Sequence, residues 1–296
     1  MEDKYTAIIV EPRKFPSFEF VLDNFLSNLD DKWIFMIYCG STNQTWVENI
    51  INTKFDKYKH KITLKQLGVD NLTSYDYNKL MISVDFLKEI PTEVFLLFQT
   101  DSIICQNNKS LINDFLKYDY VGAPWRDNAI SYLIDQYPIL ADRYNKVNNE
   151  NGFVGNGGLS LRRKSKMLEI VNNCPYPIGL PEDVYFSIAC KDIVLNKPPI
   201  ELAKSFSMES ISTPVSFGVH RTWNYTLDNL DKQCPNYSTL AELNNQKLNI
   251  EEYTNYNEQT FFNVQFNLYL IIIIIIILIL CIIFYNKYKH KLSLKN

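Results

Sequence analysis

Three short, largely apolar runs, "YTAIIV" at 5–10, "WIFMIYC" at 33–39 and the unbroken "VFLLF" at 94–98, constrain this chain more than any other feature. The first reads as a strand, the second as a buried strand, and the third, with no helical spacing, as a strand buried on both faces, as in a parallel sheet. Between the first two, "SFEFVLDNFLSNL" places apolar residues at 18, 21, 22, 25, 26 and 29, a helical stripe with Ser17 as its N-cap. "TWVENIINTKF" reads as a second helix, "KITLKQLG" as a third strand and "SYDYNKLMISVDFLKEI" as one further helix. Strands alternating with helices imply βαβ units and an α/β fold.

Beyond residue 105 the pattern loosens. "KYDYVGAPWRDN" is turn-rich, and "NNENGFVGNGGLSLRRKSKMLEIVNN" runs from a glycine cluster into a strand or a helix. The stretch 212–237 is rich in aromatics and turns, and a polar connector follows. With 296 residues, 46% of them hydrophobic, the chain has the material for a large core, which excludes a disordered protein. Net charge is −3, but four lysines stand in the last eleven residues, so residues 1–285 carry −7. So acidic a body is unsuited to gripping phosphate backbones, and no nucleic-acid partner is expected. Six cysteines, at 39, 105, 174, 190, 234 and 281, form no CxxC pair. The one at 281 lies in an apolar segment, leaving an odd five; a reduced compartment fits that number best, with an oxidised pair left open.

That apolar segment, "LYLIIIIIIILILCIIFY" at 268–285, has no charge over 18 positions, and at about 1.5 Å per residue it covers about 27 Å. Tyr269, Phe284 and Tyr285 stand where interfacial aromatics belong. The reading is a transmembrane helix over 266–285; a buried soluble helix is the alternative. The domain plan is then a globular domain 1–238, a connector 239–265, the span, and a basic tail 286–296, with membrane lipid as a partner. "MEDKYTAIIV" has no long apolar core of a secretory signal, which favours a C-terminal anchor with the domain in the cytosol. The lysines after the span argue the reverse orientation.

Four segments combine polar and small residues beyond what packing asks. In "QTDS", Asp101 ends a buried strand; it is either a turn or helix cap or a carboxylate where open α/β sheets bind ligands. In "VGNGGLSLR", 154–162, glycines let a ligand or another backbone approach closely, or form a plain turn. No Gly-Lys-Ser/Thr follows, so it is not a nucleotide P-loop. In "LPEDVYFS", 180–187, Glu182 and Asp183 are charges of a first helical turn or include a general base. In "SFGVHR", His220 is one of three histidines, the other two lying in lysine-rich contexts.

Taken together, "EPR" after the first strand, "YDYN" at 75–78, "FQTDSIIC", "YDYVGAPW" at 118–125, "GNGGLSLR", "EDVYFS" and "FGVHRTW" resemble the DUF5672 family of glycosyltransferase-like domains, over most of residues 5–225. The resemblance implies a GT-A fold, a Rossmann-like αβα sandwich with a mainly parallel central sheet. It implies a nucleotide-sugar donor, a glycan or glycoprotein acceptor, and Mn²⁺ or Mg²⁺ held by a DxD element. Here that triplet is Gln99-Thr100-Asp101, with an amide for the first acid, so metal binding rests on Asp101. A wider similarity to fringe-like and β1,3-galactosyltransferases implies Asp183 as base, Glu182 as the neighbour that orients it, His220 as second metal ligand, and an inverting displacement. Arg13, Asn78, Gln99 and Asp101 are the implied donor-binding residues. Trp125, Asn156, Gly157 and Gly158 are the implied acceptor side. Arg13 and Trp125 also have plain readings, as a surface arginine and a core aromatic. An inactive glycan or nucleotide-sugar binder, and a membrane-tethered scaffold for a protein partner, are the alternatives to an enzyme.

Overall fold

A computed structural model describes residues 4–125, 127–141, 154–188, 192–221 and 227–244. The first half alternates as the apolar runs require: β1 (Tyr5–Val10), α1 (Phe18–Asn28), β2 (Trp33–Cys39), α2 (Gln44–Thr53), β3 (Ile62–Gln66), α3 (Ser74–Met81), α4 (Val84–Glu89) and β4 (Val94–Phe98). β1 pairs in parallel with both β2 and β4, and β2 with β3. Three later strands are β5 (Ser102–Ile104), β6 (Tyr120–Val121) and β7 (Leu159–Arg163). The main sheet has the order β3-β2-β1-β4-β7-β6, so the chain moves outward from β1 to β3 and then returns to β4 on the other side of β1. Such a reversal leaves a crevice at the carboxyl ends of β1 and β4, where open α/β sheets bind ligands.

Alternate residues of the buried strands serve opposite faces. Ile8, Val10, Met36, Tyr38, Phe95 and Leu97 pack with Met81, Phe86, Leu87, Met167, Ile170 and Tyr185 in one core cluster. On the other face, Phe25 of α1 stacks on Phe98 at 3.9 Å between ring centres, and Phe35 meets Phe98 edge-on. Helices thus cover both faces, the αβα arrangement expected of doubly buried strands.

β7 runs antiparallel to β4, pairing Leu159 with Phe98, and β6 runs antiparallel to β7. The reversal brings the glycine-rich residues just before β7 to the carboxyl end of β4, where the amide of Gln99 donates to the carbonyl of Gly158 at 3.0 Å. Two further short strands, β8 (Ser207–Met208) and β9 (Gly218–His220), join β5 in a three-stranded sheet. β5 and β9 are antiparallel with Ser102 opposite His220.

Several local readings change. The single helix read over 74–90 is two, because Ser83 caps a fresh start by accepting from the amide of Phe86. Ser17 precedes α1 without capping it; its hydroxyl donates to the carbonyl of Thr100, tying α1 to the crevice. "LSLRRKSKMLEIVNN" is a strand and then a helix, Lys164–Asn173. A helix forms at Tyr237–Leu243, inside the stretch read as turns and connector. The expectation of reduced cysteines is corrected: Cys105 and Cys234 form a disulfide, Cys174 is disulfide-bonded as well, and Cys39 is a buried free thiol. No helix among the described residues is long and apolar enough to cross a membrane, and the apolar span at 266–285 and the basic tail lie outside the described residues.

Candidate active site

The crevice holds a cleft of about 510 Å³ between the end of β1, the start of α3 and the turn after β4. Arg13, Asn78, Gln99 and Asp101 line it, and so do Tyr77, Arg221 and Asn244. Arg13 does not stand alone as a surface cation. Buried Glu11 accepts from its Nε at 2.8 Å, its Nη2 at 2.9 Å and its backbone amide at 3.0 Å, which fixes the half-exposed guanidinium at the mouth. Glu11 and the nearby Asp101 hold that charge more firmly than usual. Gln99 donates from its side chain to the hydroxyl of Tyr77 at 3.2 Å. Asn78 accepts through Oδ1 from the amide of Glu182 at 3.2 Å, which couples α3 to the helix Glu182–Ile188.

The pairing of β5 with β9 brings Asp101 to His220. Asp101 Oδ1 lies 3.2 Å from His220 Nε2, and Glu209 Oε1 lies 3.5 Å from Nδ1 on the other side of the ring. His220 is 5% exposed. The contacts are near enough for charges to interact but not aligned as hydrogen bonds, so Asp101 Oδ1 and both ring nitrogens are buried without a hydrogen-bond partner. Burial alone would disfavour the charge on His220; the two carboxylates outweigh it and raise its pKa to about 10. Burial would likewise raise Asp101, yet His220 and Arg221 hold its carboxyl below the usual range. Arg221 turns the chain away from β9 with φ 44° and donates its amide to the carbonyl of Asp101 at 3.1 Å.

A divalent cation is implied by the resemblance, and these residues suit one in part. Orphaned buried atoms want a partner, and two ligands at right angles on a small octahedral cation sit about 3 Å apart, close to the separation of Asp101 Oδ1 and His220 Nε2. Among the described residues no group of three His, Cys, Asp or Glu converges as a metal cage. The pair would offer such a cation two ligands and leave the remaining positions to a ligand's oxygens or to water.

The glycine segment connects this pair to the second acidic group. Gly157 donates its amide to Asp183 Oδ2 at 3.0 Å, and Asp183 Oδ1 accepts from the amide of Val184 at 2.8 Å. A Cβ on Gly157 would stand 2.7 Å from Glu182 Oε1, and one on Gly158 would stand 2.0 Å from His220 Nε2. Asn156 Oδ1 braces the turn by accepting from the amide of Gly158 at 2.9 Å. These glycines are thus needed for close approach rather than for an unusual backbone angle. We expect Gly158→Ala to displace His220 and to lower stability by about 1–3 kcal/mol through overpacking, which a thermal melt and a Mn²⁺ titration would read.

Glu182 and Asp183 are adjacent in sequence but differ in circumstance. Both carboxylate oxygens of Glu182 are taken by Arg162, at 2.6 and 3.0 Å, in a buried pair stacked between Tyr120 and Phe186. Asp183 is only partly buried, and desolvation together with the charge of Glu182 raises its pKa to about 7. A carboxyl tuned near neutral pH and still partly exposed is suited to taking a proton, whereas Glu182 is suited to holding the local charge. Trp125 packs partly buried against the core, its ring 2.5 Å from where a Cβ on Gly155 would be, so its lower edge is committed to packing.

Sequence reasoning missed Glu11, Arg162, Glu209 and Arg221. Only Arg162 had a signal, an arginine on the apolar alternation of a strand, which needs a buried acid.

Comparison with curated proteins found no match. Among solved structures, a mannosyltransferase from Pyrobaculum calidifontis in complex with GDP-Man and Mn²⁺ is 16% identical, with a TM-score of 0.43 over 67% of this chain and 55% of that one. The bifunctional glycosyltransferase WbbM is 10% identical, with a TM-score of 0.47 over 86% of this chain and 52% of that one. Glucosyl-3-phosphoglycerate synthase from Mycobacterium tuberculosis, in complex with Mn²⁺, uridine diphosphate and glucosyl-3-phosphoglycerate, is 11% identical, with a TM-score of 0.42 over 81% and 80%. The chain thus spans about half the length of the first two. The profile of DUF5672, described as a protein of unknown function, matches residues 61–220, more than half of the sequence and every site residue from Asn78 to His220. The chain belongs to the DUF5672 family.

Proposed function

We propose that the chain is a glycosyltransferase of GT-A type, moving a sugar from a nucleotide-sugar donor to a hydroxyl of a glycan or glycoprotein. The observation that carries the reading is the placement of two chemistries on consecutive glycines: Asp183 beside Gly157 and His220 beside Gly158. One is a carboxyl poised near pH 7, and the other belongs to a buried acid–histidine pair beside a cleft large enough for part of a nucleotide sugar.

In this reading the donor lies in the cleft with its diphosphate toward Arg13 and Arg221. The acceptor oxygen attacks the anomeric carbon while Asp183 takes its proton. The bond from that carbon to the diphosphate oxygen breaks, and its electron pair leaves with the nucleoside diphosphate, so the transfer is a single inverting displacement. A bound Mn²⁺ or Mg²⁺, held by Asp101 and His220, would supply electrophilic stabilisation of the departing diphosphate. Gln99 keeps its amide on Tyr77 in place of a second acid.

Nucleotide release from a panel of UDP- and GDP-sugars, with and without Mn²⁺, tests the reading on the full chain. Metal-dependent release that falls by about 10²-fold or more in Asp101→Ala is the expected result; full activity in that variant would remove the metal-site assignment. Gln99 also favours a second reading, a nucleotide-sugar binder without turnover, and binding of the donor with no release on any acceptor would select it.

We read the apolar span 266–285 as a membrane anchor. The disulfides support a domain facing an oxidising compartment, the orientation the lysines after the span also favour, rather than the cytosol. Protection of the domain from protease in sealed vesicles checks this.

A further inference from the structure

Glu209 has no part in the roles assigned above, and nothing in "SMESIST" marks it. It follows β8 at the edge of the small sheet, partly buried, with Oε1 3.5 Å from Nδ1 of His220. The opposite ring nitrogen, Nε2, faces Asp101 Oδ1 at 3.2 Å. An imidazole offers a metal only a nitrogen that carries no proton, and the nitrogen that keeps its proton is the one with an acceptor before it. Glu209 is the carboxylate on the Nδ1 side, at charge-pairing distance but not aligned as a hydrogen bond; Asp101, on the Nε2 side, is a metal ligand in the proposed reading, which leaves Nδ1 as the nitrogen with an acceptor to hold its proton. β8 and β9 are parallel neighbours, pairing Met208 with Val219, so the residue after each pair, Glu209 and His220, emerges side by side. Gly158 packs against the ring with no room for a side chain between them.

We propose that Glu209 is a positioning residue that fixes the Nδ1–H tautomer and the ring orientation of His220, so that Nε2 and Asp101 Oδ1 present one shared face to a divalent cation. The proposal rests on the metal-binding reading of Asp101 and His220. It adds the carboxylate–histidine arrangement that makes a histidine a defined ligand, and such outer partners are worth about 10–100-fold in metal affinity. Glu209 touches neither donor nor acceptor in this account. It acts through His220.

The test is a Mn²⁺ titration of the full chain, alone and with UDP or GDP, following the paramagnetic resonance signal of free Mn²⁺. Wild type is compared with Glu209→Met, Glu209→Gln and Asp101→Asn, each first checked by thermal melting. Methionine fills similar space but accepts no proton; glutamine retains an oxygen that can accept from Nδ1–H. The expected result is a loss of about 10–100-fold in Mn²⁺ affinity for Glu209→Met, a clearly smaller loss for Glu209→Gln, and abolished binding for Asp101→Asn. A packing role alone would not favour glutamine over methionine. Wild-type affinity in folded Glu209→Met, with binding lost in Asp101→Asn, would overturn the role of Glu209 and leave the metal site standing. Equal losses in the methionine and glutamine variants would also overturn it. Absence of Mn²⁺ binding by wild type under all three conditions would overturn both together.

Discussion

The Asp183→Asn variant is expected to lose about 10²–10⁴-fold in sugar transfer while still binding the donor. Asparagine keeps an oxygen for the amide of Val184 and changes what faces Gly157, so the fold has most of its local contacts and the base is gone. The same substitution is expected to raise the melting temperature, and the sign follows from linkage. Desolvation and Glu182 raise the carboxyl of Asp183 from 3.8 to about 7, so between those values the folded protein binds a proton that the unfolded chain has released. Stability therefore falls as pH rises through that window and the full penalty remains above it. The gain in melting temperature for Asp183→Asn over wild type should be larger at pH 8 than at pH 5. Catalysis has the opposite slope: wild-type transfer should rise with pH and level above about 7, when the carboxylate is free to accept. A variant with wild-type turnover, or a rate with no acid limb, would assign the base elsewhere.

The double variant Cys105→Ser/Cys234→Ser is expected to be the most destabilising change outside the buried charges. The disulfide joins positions 129 apart, and closing a loop of that length constrains the unfolded chain by about 5 kcal/mol. For a domain of this size that corresponds to a fall of about 10–20 °C in melting temperature. Both sulfurs are buried, Cys105 immediately after β5 and Cys234 shortly before the helix Tyr237–Leu243. That helix ends at Asn244, which donates to the carbonyl of Thr100 at 3.1 Å and lines the cleft. Loss of the bridge should thus weaken donor binding as well as stability. Dithiothreitol, which also reduces the bond at Cys174, should lower the wild-type melt at least as far; a melt unchanged in the double variant would show that the Cys105–Cys234 bridge contributes nothing to the native state.

Much of this was legible beforehand, and the boundary is physical. Largely apolar runs identify β1, β2 and β4 because a strand covered on both faces tolerates little else, and the stripe at 18–29 identifies α1 by period. The antiparallel β7 was ambiguous because "LSLRR" is short, mixed in polarity and runs directly into a helix without a break. β8 and β9 have two and three residues, too few for any period to show, and they carry Glu209 and His220 together. Asp101, Asp183 and His220 stood out as charges among apolar or small residues. Arg162 and Glu209 did not, because their meaning lies in partners 20 and 11 residues away that only the folded chain brings together. Cysteine parity failed for a similar reason: an odd number of thiols says nothing about which pairs the fold brings into range.

The pairing of Ser102 with His220 rests on three residues from each strand. Successive side chains on a strand point to opposite sides, so a shift of one position along that ladder would turn the imidazole away from Asp101 altogether. The acid–histidine pair therefore has no graded loosening available to it: it is either in register and complete or out of register and absent. Small local openings of this sheet, well below the free energy of global unfolding, would switch the site off in one step. Amide exchange at Ile103 and Val219 would then set an upper limit on the fraction of molecules competent at any moment.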